Sequence, residues 1–82
     1  MSPDEMMRKL VRHRILIRAL EEEHGKMILE GSKTKGMERF LKQARRKFCD
    51  DLITAGNLCK KDGDRVTAHM LSREYARHRK FL

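Results

Sequence analysis

The sequence predicts an all-α protein in which a long antiparallel helical hairpin and a shorter third helix form a small three-helix bundle. Apolar residues recur at alternating spacings of three and four along most of the chain, which is the period of an amphipathic helix. Proline occurs once, at position 3, and no segment alternates apolar and polar residues as a half-buried strand does. The 82 residues suffice for one domain only, residues 1–82.

The first helix is predicted to run from about residue 3 to residue 29. Ser2 is placed to cap its N-terminus, Pro3 is a favoured first helical residue, and Glu5 completes the S-x-x-E pattern of a capping box. The spacing that follows places five apolar residues and two histidines on one face. These residues are Met6, Leu10, His13, Ile17, Leu20, His24 and Met27.

A loop is predicted at residues 30–36, because the stretch EGSKTKG combines two glycines with Ser and Thr. Gly31 suits the position just after a helix C-terminus, and either Ser32 or Thr34 is suited to cap the next helix. The second helix is then predicted over about residues 37–61. Its apolar face holds Met37, Leu41, Ala44, Phe48, Leu52, Ala55 and Cys59.

The third helix is predicted over about residues 65–81, with Asp64 as its N-cap and Gly63 ending the helix before it. Its apolar side is poorer than those of the first two helices and contains Met70, Leu71, Tyr75, Phe81 and Leu82. Short connections favour antiparallel neighbours. We therefore expect the first two helices to pack as an antiparallel hairpin, with the third helix across or beside them.

The predicted hairpin is expected to associate with a second copy of itself. A chain of this size buries only about 60–65% of the surface that its unfolded form exposes, so its stability margin is thin. A long hairpin cannot cover both of its apolar faces. We therefore expect a homodimer in which paired hairpins bury the remainder.

The charge balance indicates a negatively charged partner. The chain has 20 Lys and Arg against 12 Asp and Glu, a formal net charge of +8. This charge attracts polyanions, so we expect a small basic regulatory protein that binds nucleic acid, DNA or RNA, without strong sequence specificity. Two cysteines are too few for the disulfide framework of a small secreted protein, and no segment approaches ~20 consecutive apolar residues. The expected setting is the reducing cytoplasm, with no membrane partner.

The candidate phosphate contacts lie on the second and third helices. In the stretch ERFLKQARRKF, residues 38–48, the phase of the apolar face places most basic residues on the opposite face. Arginine suits such a site because its planar guanidinium can hold two phosphate oxygens at once. The C-terminal stretch REYARHRKFL supplies a second basic group. The candidate binding residues are Arg39, Lys42, Arg45, Arg46, Arg73, Arg77 and Lys80.

The alternative function is that of an adaptor or inhibitor that docks its basic helical surface on an acidic partner protein. One or two apolar anchors, such as Ile15 or Ile53, would then carry most of the binding energy. An enzyme is not predicted, because the sequence has no nucleophile paired with a base and no phosphate-cradling glycine loop. No cofactor or metal is predicted either, since the histidines and cysteines lack the tight pairs of a zinc site.

Overall fold

The computed structural model describes residues 2–82, which form three helices and no strand. Residue 1, the first of the predicted domain, lies outside the described residues. The helices are α1 (Pro3–Leu29), α2 (Lys35–Lys61) and α3 (Arg65–Arg79). The predicted all-α class and the number of helices are confirmed. Helix α2 begins at residue 35 rather than 37, and α3 ends at residue 79 rather than 81.

Two of the three helices begin at residues whose side chains cap the backbone. The amide of Glu5 donates a hydrogen bond to Ser2 Oγ at 3.2 Å, and the amide of Thr67 donates to Asp64 Oδ1 at 3.0 Å. Each bond satisfies one of the amides that the first turn of a helix leaves without a backbone acceptor. Hydrogen bonds from the hydroxyl and the backbone amide of Thr67 also hold the pKa of the Asp64 carboxyl below its ordinary value.

Both connections between helices are closed by a glycine with positive φ. Gly31 has φ 72° and Gly63 has φ 78°, a region that glycine enters without steric penalty. After α1, the Gly31 amide donates to the carbonyl of Ile28 and the Ser32 amide donates to the carbonyl of Met27. This pair of bonds is a Schellman motif, and the same pattern follows α2.

The earlier start of α2 brings Lys35 into the helix. Thr34 occupies the N-cap position, and its carbonyl accepts a hydrogen bond from the Glu38 amide at 2.8 Å. The Thr34 hydroxyl does not cap the backbone but donates to the Glu38 carboxylate at 3.1 Å. Because Lys35 is helical, it lies one turn before Arg39 on the same side of α2.

Helix α2 is the central element of the molecule. It packs against both α1 and α3, whereas no α-carbon of α1 lies within 8 Å of one in α3. The core is continuous along this arrangement, and Phe48 is completely buried. The buried apolar residues are Met6, Leu10, Ile17, Leu41, Phe48, Leu52, Ala55, Cys59, Ala68 and Leu71.

The apolar side of α3 differs from the prediction. Ala68 and Leu71 are buried, whereas Met70, Phe81 and Leu82 are exposed. Ala68 lies three residues before Leu71 and so shares its face, but Met70 is turned about 100° away from Leu71 around the helix. The small Ala68, rather than the larger Met70, therefore joins the core.

Contacts between α1 and α2 become closer in sequence toward the loop that joins them. His13 Nε2 lies 2.6 Å from Asp51 Oδ2, and His24 Nε2 lies 3.4 Å from Glu38 Oε1.

The described chain measures 48 × 22 × 16 Å along its principal axes. Its long dimension therefore follows the two 27-residue helices, about 40 Å each at 1.5 Å per residue.

Candidate nucleic-acid interface

Four basic residues of α2 form a single exposed row, which we call the basic stripe. They are Lys35, Arg39, Lys42 and Arg46. Their spacings of four, three and four residues keep them on one side of the helix. All four line one shallow surface depression, together with Glu38 and Gln43. The row extends from residue 35 to residue 46, about 16 Å along the helix axis at 1.5 Å per residue.

The charges of the basic stripe are not neutralised by neighbouring carboxylates. Among the described residues, no carboxylate lies within 4 Å of a nitrogen of these four side chains. The nearest acidic residue in the depression, Glu38, contacts His24 at 3.4 Å and Thr34 at 3.1 Å. Four cations on one helix are therefore available to an external anion.

Arg45 does not belong to the basic stripe, although it precedes Arg46 in the chain. Its side chain is only 14% exposed, and Nη2 lies 3.5 Å from Glu21 Oε1 on α1. The guanidinium also lies over the ring of Phe81, 4.4 Å from the ring centroid. Arg45 therefore joins α1, α2 and the C-terminal residues.

The three candidates on the C-terminal segment are exposed but do not join the basic stripe. No described residue of α3 lines the depression that holds the stripe. Arg77 instead lines a cleft between α1 and α3, which Arg14 and Arg18 also line. Arg73 and Lys80 are exposed elsewhere on the same segment. The seven candidates thus divide into a row on α2, an inward-turned Arg45 and a dispersed C-terminal group.

A second basic group lies where α2 ends and α3 begins. Lys60, Arg65 and His69 line a common depression there. Lys60 and Arg65 were not among the candidate binding residues. The helical period of the sequence already places Lys60 on the side of the basic stripe, where it continues the row after a gap. Arg65 lies beside Lys60 because the short turn between α2 and α3 brings the start of α3 next to the end of α2.

Asp51 is a half-buried carboxylate of α2 that contacts two basic side chains of α1. His13 Nε2 lies 2.6 Å and Lys9 Nζ 3.3 Å from Asp51 Oδ2. Burial acts to raise the pKa of Asp51, but hydrogen bonds and charge from His13 and Lys9 outweigh it, and the pKa lies below its ordinary value. His13 also packs against the ring of Phe48, with centroids 5.5 Å apart. These contacts stabilise the hairpin.

The two cysteines lie on the buried side of α2 as free thiols. Burial is the main cause that raises the pKa of both Cys49 and Cys59, with a further contribution from nearby aspartates. A raised thiol pKa favours the protonated, weakly nucleophilic form. Within residues 2–82, no group of three or more His, Cys, Asp or Glu side chains could hold a metal ion.

Three comparisons with known proteins find no relative of this chain. A scan against protein-family models, a search of curated proteins and a search of solved structures each gave no match. Among the described residues, no helix combines the length and apolar character needed to cross a bilayer.

Proposed function

We propose that the protein binds nucleic acid through the basic stripe of α2, by contacts to phosphates and without strong sequence specificity. The observation that supports this function is the row of four exposed, uncompensated cations on one helix. In a duplex, each strand carries one phosphate charge per ~3.4 Å of axis. A row with one cation every ~5–6 Å can therefore contact several phosphates of one strand.

The two residue types of the stripe serve different purposes. Arg39 and Arg46 present planar guanidinium groups that can each hold two phosphate oxygens, which orients the strand along the helix. Lys35 and Lys42 act as point charges between them. Contacts to phosphate oxygens position a nucleic acid but carry no base information, so low sequence specificity follows. The net charge of +8 adds long-range attraction, to which Arg73, Arg77 and Lys80 contribute.

The proposed site rests on a hairpin that we take to be antiparallel. Its support is the order of the contacts, in which residue 13 meets residue 51 and residue 24 meets residue 38. In this arrangement, α1 and α3 cover the apolar sides of α2 and leave the basic stripe on the remaining side. The buried, unbridged Cys49 and Cys59 fit the reducing cytoplasm in which we place this function.

Binding is tested by the fluorescence anisotropy of a labelled DNA duplex and a labelled single-stranded RNA, between about 50 and 200 mM salt. We expect micromolar or tighter binding that weakens steeply as salt rises. Changing Arg39, Lys42 and Arg46 to Gln together should weaken binding and reduce the slope of log K against log salt. The expected reduction on duplex DNA is about 0.9 for each phosphate that the variant no longer neutralises.

The control is a second triple variant with the same net charge. Arg12, Lys33 and Lys61 are exposed on α1, in the loop and at the end of α2, and they are changed to Gln together. Because these residues lie outside the basic stripe, this variant should lose much less affinity than the stripe variant. Equal losses in the two variants would show a general charge effect and contradict the proposed site, as would absence of binding at the lowest salt.

The second candidate function is docking on an acidic partner protein. Ile53 is 47% exposed, lies between the phases of Arg46 and Lys60, and lines the groove between α2 and α3. An apolar anchor with cations at its rim is typical of a protein interface. Changing Ile53 to Ser should leave nucleic-acid binding unchanged if phosphates are the ligand. A wild-type chain that binds an acidic protein but no nucleic acid, with that binding lost in Ile53→Ser, would instead favour a protein interface centred on Ile53.

A further inference from the structure

The side of α1 that faces away from the core has an apolar centre with charged residues at both ends. Taking α1 at 100° per residue, eight exposed residues lie within about 40° of the direction of Ile15, the last of them Leu29 at the C-terminal end of the helix. We call the other seven the α1 outer face: Asp4, Arg8, Val11, Ile15, Ala19, Glu22 and Lys26. Ile15 is 65% exposed. The core does not use this face, and the basic stripe lies on another helix.

The charges of the α1 outer face have opposite signs at equal distances on the two sides of Ile15. Arg8 and Glu22 each lie seven residues from Ile15, on opposite sides of it. Asp4 and Lys26 each lie eleven residues from Ile15, again on opposite sides. Every charge on this face therefore has an opposite charge at the same distance beyond Ile15.

We propose that the α1 outer face binds the same face of a second copy, antiparallel and centred on Ile15. A two-fold axis through Ile15 brings Arg8 of each copy to Glu22 of the other, and Asp4 of each copy to Lys26 of the other. Four ion pairs then flank a centre in which Ile15 meets Ile15, as expected of an isologous interface. Val11 and the small Ala19 lie on either side of this centre and let the two helices approach closely.

The same charges exclude the other simple pairing. In a parallel pair, each charged residue of the α1 outer face would meet its own counterpart, Arg8 against Arg8 and Glu22 against Glu22. Like charges that face each other across an interface repel, so these contacts disfavour the parallel pair. A shift of one heptad in the antiparallel pair would place Ile15 against a charged residue.

Within one chain, Glu22 has only a weak competing contact. Arg18 Nε lies 3.9 Å from Glu22 Oε1, and both side chains are largely exposed. An exposed pair of this kind contributes about 0–1 kcal/mol. Glu22 is therefore free to pair with Arg8 of another copy. The interface leaves the basic stripes of both copies accessible, so a dimer could engage one nucleic acid at two places.

The first test is sedimentation velocity of the full chain without nucleic acid, at ~150 mM salt and over a wide range of concentration. We expect a reversible monomer–dimer equilibrium. Arg8→Glu alone and Glu22→Arg alone should each weaken self-association at least about tenfold, because each places like charges at both symmetric contacts. The double variant Arg8→Glu/Glu22→Arg should associate as the wild type does, since both pairs are restored with the signs exchanged.

A mixture of the two single variants provides the sharpest test. Each chain alone should associate with itself only weakly, but the Arg8→Glu chain and the Glu22→Arg chain should form a heterodimer, because their exchanged charges are complementary at both contacts. Ile15→Ser should weaken association, whereas Val66→Ser, an exposed apolar residue on α3, should not. Circular dichroism verifies that each variant is folded.

Two results would overturn the proposal. One is a wild-type chain that stays monomeric at the highest concentration reached. The other is a dimer that the single charge reversals do not weaken, or that the double variant does not restore. Because no nucleic acid is present, failure here is distinguishable from failure of the proposed binding function.

Discussion

At the scale of single residues, Phe48 is the side chain on which the three helices meet. It is completely buried on α2. Its ring lies 5.5 Å from the ring of His13 on α1 and 4.9 Å from the ring of His78 on α3, measured between centroids. The guanidinium carbon of Arg14 lies 5.9 Å from the same ring. Because the Phe48 ring contacts residues of both α1 and α3, it contributes to both interfaces of α2.

We expect Phe48→Ala to destabilise the fold by about 3–5 kcal/mol, since it removes a fully buried aromatic side chain and leaves a cavity. The matched control is Phe40→Ala on the same helix, where the ring is 54% exposed and the change should be within about 1 kcal/mol. Urea unfolding followed by circular dichroism measures both. Similar losses in the two variants would show that Phe48 is not the centre of the packing.

At the scale of helices, glycines occupy two opposite kinds of position. Gly31 and Gly63 have positive φ and close the turns after α1 and α2. Gly25 and Gly56 lie inside α1 and α2, and a Cβ added at either would meet no atom within 4 Å. Glycine is required at the turns, but in the helices it only enlarges the conformational freedom of the unfolded chain.

Alanine substitutions should therefore have opposite effects at these positions. Gly56→Ala should raise the free energy of unfolding by about 0.5–1 kcal/mol, because alanine has the higher helix propensity and open space for its methyl group. Gly63→Ala should lower it by about 1–2 kcal/mol, because an L-residue is strained at this φ. Thermal unfolding of the two variants measures the difference. A change of the same sign in both would contradict the assigned conformations.

At the scale of the whole molecule, two half-buried carboxylates connect α1 to the other helices. Asp51 on α2 contacts His13 and Lys9. Glu74 on α3 accepts two hydrogen bonds from Arg14, both 2.8 Å long. Burial acts to raise the pKa of Glu74, but the bonds and charge of Arg14 outweigh it, so its pKa, like that of Asp51, lies below the ordinary value.

Lowered carboxyl pKa values make the fold sensitive to acid. Their contribution is complete above the ordinary values, near 3.8 for Asp51 and 4.5 for Glu74, and is lost as pH falls through the lower values of the folded state. We expect Asp51→Asn/Glu74→Gln to be less stable at pH 7 by a few kcal/mol, roughly 1–3 for each site. Its free energy of unfolding should also change less than that of the wild type between about pH 5 and pH 2.

The matched control for acid sensitivity changes two exposed carboxylates, Asp50→Asn and Glu23→Gln. This control should keep both the stability of the wild type at pH 7, within about 0.5 kcal/mol per site, and its acid dependence. Guanidinium unfolding at a series of pH values gives these quantities. If the control and the Asp51→Asn/Glu74→Gln variant respond alike to acid, general charge repulsion rather than the contacts of Asp51 and Glu74 controls acid unfolding.

The sequence by itself determined the helices and much of the basic stripe. Ser2, Gly31, Gly63 and Asp64 mark helix ends because each acts on backbone atoms a few residues away, so local chemistry suffices. The apolar faces of α1 and α2 follow from helical period alone. The same period places Lys35, Arg39, Lys42 and Arg46 in one row, and the earlier start of α2 brings Lys35 into the helix itself.

Tertiary structure decided which of the remaining side chains are buried. Helical period defines an apolar stripe, but a central helix that packs against two neighbours buries a wider arc than one stripe. Cys49 and Arg45 lie in that wider arc, so Arg45 is turned toward Glu21 while Arg46 remains exposed. The packing of α3 against α2 likewise buries Ala68 and Leu71 and leaves Met70 exposed, because Met70 points about 100° away from Leu71 around the helix.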